Sequence, residues 1–350
     1  MSAPSFDWDP AGPDRALAVA RGDVAALRIG AARDVLADTR HSADHDARAF
    51  RSLVLAAAAA SSDVVETWTR EEPANPDALL LYARVAAHRA VTAPANREEH
   101  GRIASTACAA ARRAWPDDPT PYAVELSLLR LRQSAGGHAP SRPPGSAEEP
   151  AWALWREAEN RHPGNREAGQ RMLALCYPRH GGNAELASDT AAYLASVGPP
   201  NGVNRLLPLL AGLEQTQAGA EAAKPDPQRL SKIHQLLGNL TSQGAAEPQA
   251  EQRRRTLLEM LDLELRGEHA ADPVAEELAV EWFGAYSRPP DAATVSDLSV
   301  LAEALHRGGR PGLAWRVLQH IHPYASPFPW SRHGPAEKVL ARVHKDCRRG

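Results

Sequence analysis

A helix-start signal recurs along the first part of this 350-residue chain. At four places a proline stands two residues before an asparagine or aspartate, side chains that commonly cap the first turn of a helix. The four pairs are Pro73 with Asn75, Pro116 with Asp118, Pro163 with Asn165, and Pro199 with Asn201. Successive prolines lie 43, 47 and 36 residues apart, and each interval contains two helical patterns. A period of roughly 35 to 45 residues that holds two helices is typical of helical solenoids.

The composition favours helices over strands. Alanine, the strongest helix former, makes up about a fifth of the chain, whereas aromatic residues make up 5%. No run of alternating β-branched or aromatic residues is bounded by a tight Asn-Gly turn, the usual signal of a hairpin. We therefore expect an all-α fold in which antiparallel helix pairs stack into a solenoid or superhelix.

Two polar stretches interrupt the helical pattern. Residues 134–150 contain four prolines and three glycines and are typical of an exposed loop. Residues 215–228 are polar and contain a Pro-Asp-Pro sequence. This second stretch predicts a linker, which divides an N-terminal helical-repeat array (1–214) from a C-terminal helical region (229–350).

Charge and hydropathy exclude several classes of protein. The formal net charge of −3 argues against a globally basic nucleic-acid binder. The first ten residues are acidic and lack the apolar stretch of a signal peptide, and the most apolar run, residues 53–60, is too short to cross a bilayer. Three separated cysteines form no CxxC motif, so no disulfide framework or zinc knuckle is indicated. We expect a cytoplasmic protein without a cofactor and without a membrane partner.

Three segments resemble tetratricopeptide-type repeats. In residues 68–79, 155–168 and 302–318, a helix ends at a short capped or glycine-rich turn and a second helix follows. The chain is also similar to helical-repeat proteins of actinobacteria that carry a Pro-Arg-Trp-Gly-Gly element. That element corresponds here to residues 178–182, with His180 in place of the tryptophan. The resemblance implies a concave surface that binds a protein or peptide, or a scaffold, and it implies no chemistry.

The loop of residues 177–182 is the best candidate for a binding element. Its two glycines let the backbone turn sharply, and Arg179 with His180 could contact an anionic group. The same glycines also suit an ordinary helix entry. Tryptophan is enriched in binding hot spots but also packs between repeat helices, and Trp155 could do either. The predicted binding residues are Trp155, Tyr177, Arg179 and His180.

Histidines supply the candidates for metal ligands. His41 and His45 are four residues apart, so they would share a face of one helix and could bind a metal; their place between two helical patterns favours a solvated loop or a helix cap instead. The C-terminal part contains further histidines whose spacing fits no recognised metal site: His306, His320, His322, His333 and His344. We therefore predict no metal site. We also predict no catalytic residue, because the chain lacks the GxSxG, GxGxxG and P-loop motifs.

The leading functional interpretation is a non-catalytic scaffold or adaptor that binds a protein or peptide. Two alternatives stay open. The first is an α-helical hydrolase or transferase that uses the C-terminal histidines for acid–base or metal chemistry. The second is a ligand-sensing regulatory module that acts through another chain. Nucleic acid is not an expected partner.

Overall fold

The computed structural model describes most of the chain as α-helix. The described residues are 5–133, 137–146, 148–222, 272–284 and 287–349. Within them lie fifteen α-helices and a single isolated β-bridge, between Asp7 and Tyr324. The first eight helices are α1 (Arg15–Ala25), α2 (Gly30–Ser42), α3 (His45–Ala59), α4 (Val64–Glu71), α5 (Pro76–Thr92), α6 (Arg97–Ala114), α7 (Thr120–Gln133) and α8 (Pro150–Arg161). The prediction of an all-α fold is therefore confirmed for this part of the chain.

The remaining seven helices include four that follow the long interval, residues 223–271, outside the described residues. They are α9 (Arg166–Leu175), α10 (Ala184–Val197), α11 (Leu207–Ala222), α12 (Pro273–Trp282), α13 (Val295–Arg307), α14 (Pro311–Ile321) and α15 (Ala336–Cys347). None of these fifteen helices is both long and apolar enough to cross a membrane.

Capping side chains set the starts of the central helices. Asn75 accepts hydrogen bonds from two amides in the first turn of α5, and Asn165 accepts one from the amide of Ala168 in the first turn of α9. Asp118 accepts from the amide of Thr120, where α7 begins. These three starts follow the sequence signal because a cap depends on residues only two or three positions away. Asn201 differs: Gly202 follows it, and a short 3₁₀ turn with no side-chain cap then begins at Val203.

Most helices pack against the next helix in the sequence, and some also pack against the second one along, as α3 does with α5 and α7 with α9. The most extensive packing joins α5 to α6, which a turn of four residues connects, so the two helices run antiparallel. The core between them is built largely from small residues, among them Ala83, Ala86, Ala104 and Ala107. Alanine allows close approach of helix backbones, which explains how a chain with few aromatic residues still forms a packed interior.

Buried ion pairs tie non-adjacent helices together. The Arg48 side chain of α3 is fully buried; its Nη1 lies 2.6 Å from Asp77 Oδ1 and its Nε lies 2.7 Å from Asp118 Oδ2. On α5, Arg84 pairs with Glu167 of α9 and also donates to the Ser52 hydroxyl. Buried charges are tolerated only when they are paired, so these contacts fix the relative positions of α3, α5, α7 and α9.

The C-terminal helices share a core with residues on both sides of the predicted linker. Leu206, Leu209 and Leu213 pack with the apolar side chains of α12 to α15. Phe6 and Trp8 also pack against this core from the N-terminus. The α11 helix continues to Ala222, through the first eight residues of the stretch 215–228. The rest of that stretch and residues 229–271 lie outside the described residues, so the domain boundary stays a prediction.

Candidate functional site

The loop of residues 177–182 forms a tight turn between α9 and α10. Residues 178–180 make one 3₁₀ turn, and the amides of His180 and Gly182 both donate to the Tyr177 carbonyl, at 2.9 and 3.1 Å. Gly181 has a φ of +90°, a conformation that favours glycine. A Cβ at Gly182 would lie 2.0 Å from the Cys176 carbonyl oxygen. The sharp turn predicted from the two glycines is therefore present, and Asn183 also caps α10.

This loop borders a cleft of about 290 Å³, which we call the arginine cleft. Its walls come from α9, the 177–182 loop, α11, α13 and the segment before α15. The lining side chains are Arg166, Gln170, Arg171, Tyr177, Arg179, Leu210, Glu214, Ser296, Asp297, Val300 and Phe328. Among the lining residues, three arginines face two carboxylates, and the rest of the lining is polar or apolar without charge.

Arg179 is the most exposed of these arginines, with half of its side chain accessible to solvent. Its Nη1 donates to both carboxylate oxygens of Glu214, at 2.7 and 2.6 Å, so Glu214 engages only one of its two terminal nitrogens. Its Nε lies 3.2 Å from Nε2 of His180, and its guanidinium lies 5.1 Å from the centre of the Tyr177 ring. The Glu214 carboxylate is shared, because Nη1 of Arg332 lies 3.2 Å from Oε1.

Arg171 shares its counter-charge in the same way. Its Nε and Nη2 donate to Oε1 of Glu167, at 3.2 and 3.1 Å. The Glu167 carboxylate is buried, and both of its oxygens also accept from Arg84. Burial alone would raise the pKa of Glu167, but Arg84 and then Arg171 lower it to about 2. Neither Arg171 nor Arg179 therefore has a carboxylate to itself.

The opposite wall is fixed by Asp297. This buried carboxylate accepts from Nε and Nη2 of Arg166 and from the Gln170 amide at 2.9 Å. Its Oδ2 also accepts from the Thr294 amide, while the Thr294 hydroxyl accepts from the Asp297 amide, which completes a capping box at the start of α13. One side chain thus caps a helix and holds α9 against α13.

Burial and nearby arginines lower the pKa values of two groups beside the cleft. Burial lowers the pKa of Arg130, and Arg171 and Arg179 lower it further. Burial also lowers the pKa of His180, and Arg130 and Arg179 add to that effect. A nearby cation disfavours a second positive charge, and the arginine contributions to these shifts show that several cations lie close together between α7 and the loop. Such a region attracts an anion.

The structure brings together only part of the predicted site. Tyr177 and Arg179 line the arginine cleft, and His180 lies beside Arg179. Trp155 lies elsewhere: it is 5% exposed and packs edge-on against Trp152 and Tyr193 in the core between α8 and α10. Its position is that of a packing residue.

The histidines are distributed over separate contacts. His41 lies in the last turn of α2, whereas His45 is the first residue of α3 after its cap Asp44, so the two do not share one helix. In the C-terminal part, His333 Nε2 lies 2.9 Å from Glu303 Oε1, while the ring of His344 lies 4.7 Å from that of Trp315. Throughout the described ranges, no group of three or more potential ligand side chains is placed to hold a metal ion.

Sequence reasoning missed most of the cleft lining, including Arg171, Glu214, Asp297 and Phe328. Asp297 has the signal of an ordinary capping residue, and it is one; nothing local marks its contact with Arg166. Glu214 lies at the end of the predicted array without a motif. These residues meet the loop only through tertiary packing, which a single sequence does not display.

Comparisons with known proteins place the chain in no known family. No protein-family model matches the sequence, and no curated protein and no solved structure is significantly similar to it.

Proposed function

We propose that this protein is a non-catalytic binding protein that takes an anionic segment of a peptide or partner protein into the arginine cleft. The observation that carries the proposal is the shared pairing of Arg171 and Arg179. Each donates to a carboxylate that a second arginine also uses. An incoming anion would give these two guanidinium groups a counter-charge of their own.

The size of the cleft supports a segment rather than a whole surface. Ligand pockets generally measure roughly 300–1,000 Å³, and a cleft of about 290 Å³ is at the small end of that range. It would receive one or two acidic side chains. The apolar part of the lining, Leu210, Val300 and Phe328, would contact the stem of the segment that carries them.

The surroundings of the cleft extend the proposal. The helix pairs around it would be degenerate tetratricopeptide-like repeats, and their surface would hold the rest of the partner chain outside the cleft. The partner would be a protein or peptide of the cytoplasm. No catalytic step, cofactor or nucleic acid is part of this function.

The test uses a rhodamine-labelled octapeptide with two glutamates and an amidated C-terminus. A matched peptide carries glutamines at the same positions. Fluorescence anisotropy at low salt should show that the acidic peptide binds at least tenfold more tightly than the neutral one. Affinity should fall as salt rises, because exposed charges are screened.

The matched variants remove two positive charges at different places. Arg171→Gln combined with Arg179→Gln should weaken binding of the acidic peptide by tenfold or more. Arg28→Gln combined with Arg102→Gln, at two exposed surface positions, should leave binding nearly unchanged. Thermal unfolding followed by circular dichroism checks that both variants fold. Equal binding of the two peptides, or equal losses in the two double variants, would overturn the proposal.

A further inference from the structure

We infer that Glu214 is a built-in competitor for the anion at Arg179, so that a ligand must displace this carboxylate to bind. The inference rests on the proposed function and specifies how the same cleft is regulated. It predicts that removing the Glu214 carboxylate from the lining tightens binding of an anion. The gain in affinity should exceed the general effect of one fewer negative charge.

The geometry shows which contact can open. Glu214 is nearly buried on α11, and its carboxylate lies between Arg179 on the loop and Arg332 before α15. Arg332 is 10% exposed and its Nη2 also donates to the Leu213 carbonyl at 3.2 Å. Arg179 is half exposed at the edge of the cleft. The Arg332 contact is therefore anchored, whereas the Arg179 contact borders solvent.

The ion pair of Glu214 with Arg179 is weaker than its ion pair with Arg332, because Arg179 is the more exposed arginine. An ion pair with one partner half in water contributes little, because water and salt screen it and the arginine loses side-chain entropy. When Arg179 turns towards an incoming anion, Glu214 keeps its contact with Arg332. No carboxylate is left buried without a partner, which would otherwise oppose the exchange.

The exchange also improves the contacts of Arg179. Of the Arg179 nitrogens, only Nη1 donates to Glu214, although an arginine can offer two parallel N–H groups to a carboxylate or phosphate. An external anion that approaches from the cleft could take both terminal nitrogens. A neutral group cannot replace Glu214 at this position, so the competitor makes the cleft selective for charge.

The arrangement assigns Arg332 a distinct part. It holds Glu214 away from Arg179 in the liganded state and does not itself contact the ligand. Loss of Arg332 should strengthen the hold of Glu214 on Arg179 and therefore weaken binding of the anion. That effect should disappear when Glu214 is absent.

The experiment is a double-mutant cycle with the same acidic and neutral octapeptides. Glu214→Gln should tighten binding of the acidic peptide about threefold to tenfold, the range expected for removal of a weak competing ion pair. Glu99→Gln, which removes an exposed carboxylate with the same change in net charge, should have a much smaller effect. Arg332→Gln should weaken binding in the wild-type background and have no effect in the Glu214→Gln background.

Each result has one interpretation. If the acidic peptide binds through Arg171 and Arg179 but Glu214→Gln leaves its affinity unchanged or weaker, the competitor role is wrong and the proposed function stands. If Arg332→Gln weakens binding equally in both backgrounds, Arg332 contacts the ligand and the inference is also overturned. If no variant binds the acidic peptide in preference to the neutral one, the proposed function itself fails.

Discussion

Arg166 and Asp297, which are 131 residues apart in the sequence, join α9 to α13. Nε of Arg166 lies 2.5 Å from Oδ2 of Asp297, and its Nη2 lies 3.0 Å from Oδ1. Because Asp297 also belongs to the capping box of α13, this contact links the first turn of that helix to α9. This wall of the arginine cleft is therefore held by the packing of α13 in the C-terminal core and by this ion pair to α9.

Replacing Arg166 should destabilise the protein. In Arg166→Met the buried Asp297 loses its guanidinium partner but keeps its hydrogen bonds from the Gln170 side chain and the Thr294 amide. We therefore expect a loss of about 3 kcal/mol in the free energy of unfolding. Urea unfolding followed by circular dichroism measures it. Arg288→Met, at an ion pair that is about 80% exposed on both sides, should change the free energy by no more than about 0.5 kcal/mol. Similar values for the two variants would contradict the role of the Arg166 contact.

The Arg84–Glu167 pair should give the protein an acid-sensitive component of stability. The pKa of Glu167 is lowered to about 2 in the folded state from its ordinary value of 4.5. Its stabilising effect is therefore complete above about pH 4.5 and is lost as the pH falls from there towards 2. In Glu167→Gln this component should be absent, and stability at pH 7 should fall by about 3–5 kcal/mol because Arg84 stays buried without a carboxylate. Unfolding free energies measured between pH 7 and pH 3 test this prediction. If the unfolding free energy of Glu167→Gln falls with pH as steeply as that of the wild type, the prediction is wrong.

The His162–Asp46 contact should act in the opposite direction. The hydrogen bond from the His162 ring to the Asp46 carboxylate raises the pKa of His162 above its ordinary value of 6.5, despite partial burial. The stabilisation is complete below pH 6.5 and is lost as the pH rises through the raised value. His162→Gln should remove this loss. The pKa of the neighbouring His45 is lowered, chiefly by burial, so His45→Gln serves as the comparison. This variant should still lose stability as the pH rises from 6.5. The measurement is thermal stability between pH 6 and pH 8.

The backbone of the 177–182 loop should be as important as its side chains. Gly182→Ala would place a Cβ against the Cys176 carbonyl oxygen, a backbone clash that no side-chain rotation relieves. The loop must shift, so binding of the acidic peptide should weaken tenfold or more. Gly212→Ala lies on α11 beside the cleft with nothing within 4 Å of the new Cβ. It should bind normally and gain up to about 1 kcal/mol of stability from helix propensity. Normal binding by Gly182→Ala would show that the loop conformation is dispensable.

The features predictable from the sequence are those with local causes. Asn75 and Asn165 cap helices through amides two or three residues away, and the turn after Tyr177 depends on two adjacent glycines. Asn201 shows the limit of the signal: the same spacing precedes a glycine, and a 3₁₀ turn forms instead of a capped helix. The proline spacing predicted starts, not the order in which the helices pack.

The rest of the site depends on contacts between distant helices. The sequence singled out Arg179 but not Glu214, because an ion pair across 35 residues has no local pattern. Trp155 was a candidate because tryptophan serves both binding and packing. Only the arrangement of α8 and α10 places its ring against Trp152 and Tyr193. Burial of a helix face is decided by its neighbours, which are not visible in that helix alone.

The most direct measurement of the central claim observes the arginine side chains themselves. The Nε–Hε signals of Arg171 and Arg179 can be recorded by nuclear magnetic resonance with ¹⁵N-labelled protein and assigned from Arg171→Lys and Arg179→Lys. Titration with the acidic octapeptide should shift both signals along one saturating curve, while the signal of the exposed Arg102 stays in place. A peptide that binds without moving the Arg171 and Arg179 signals would contradict the assignment of the arginine cleft as the binding site.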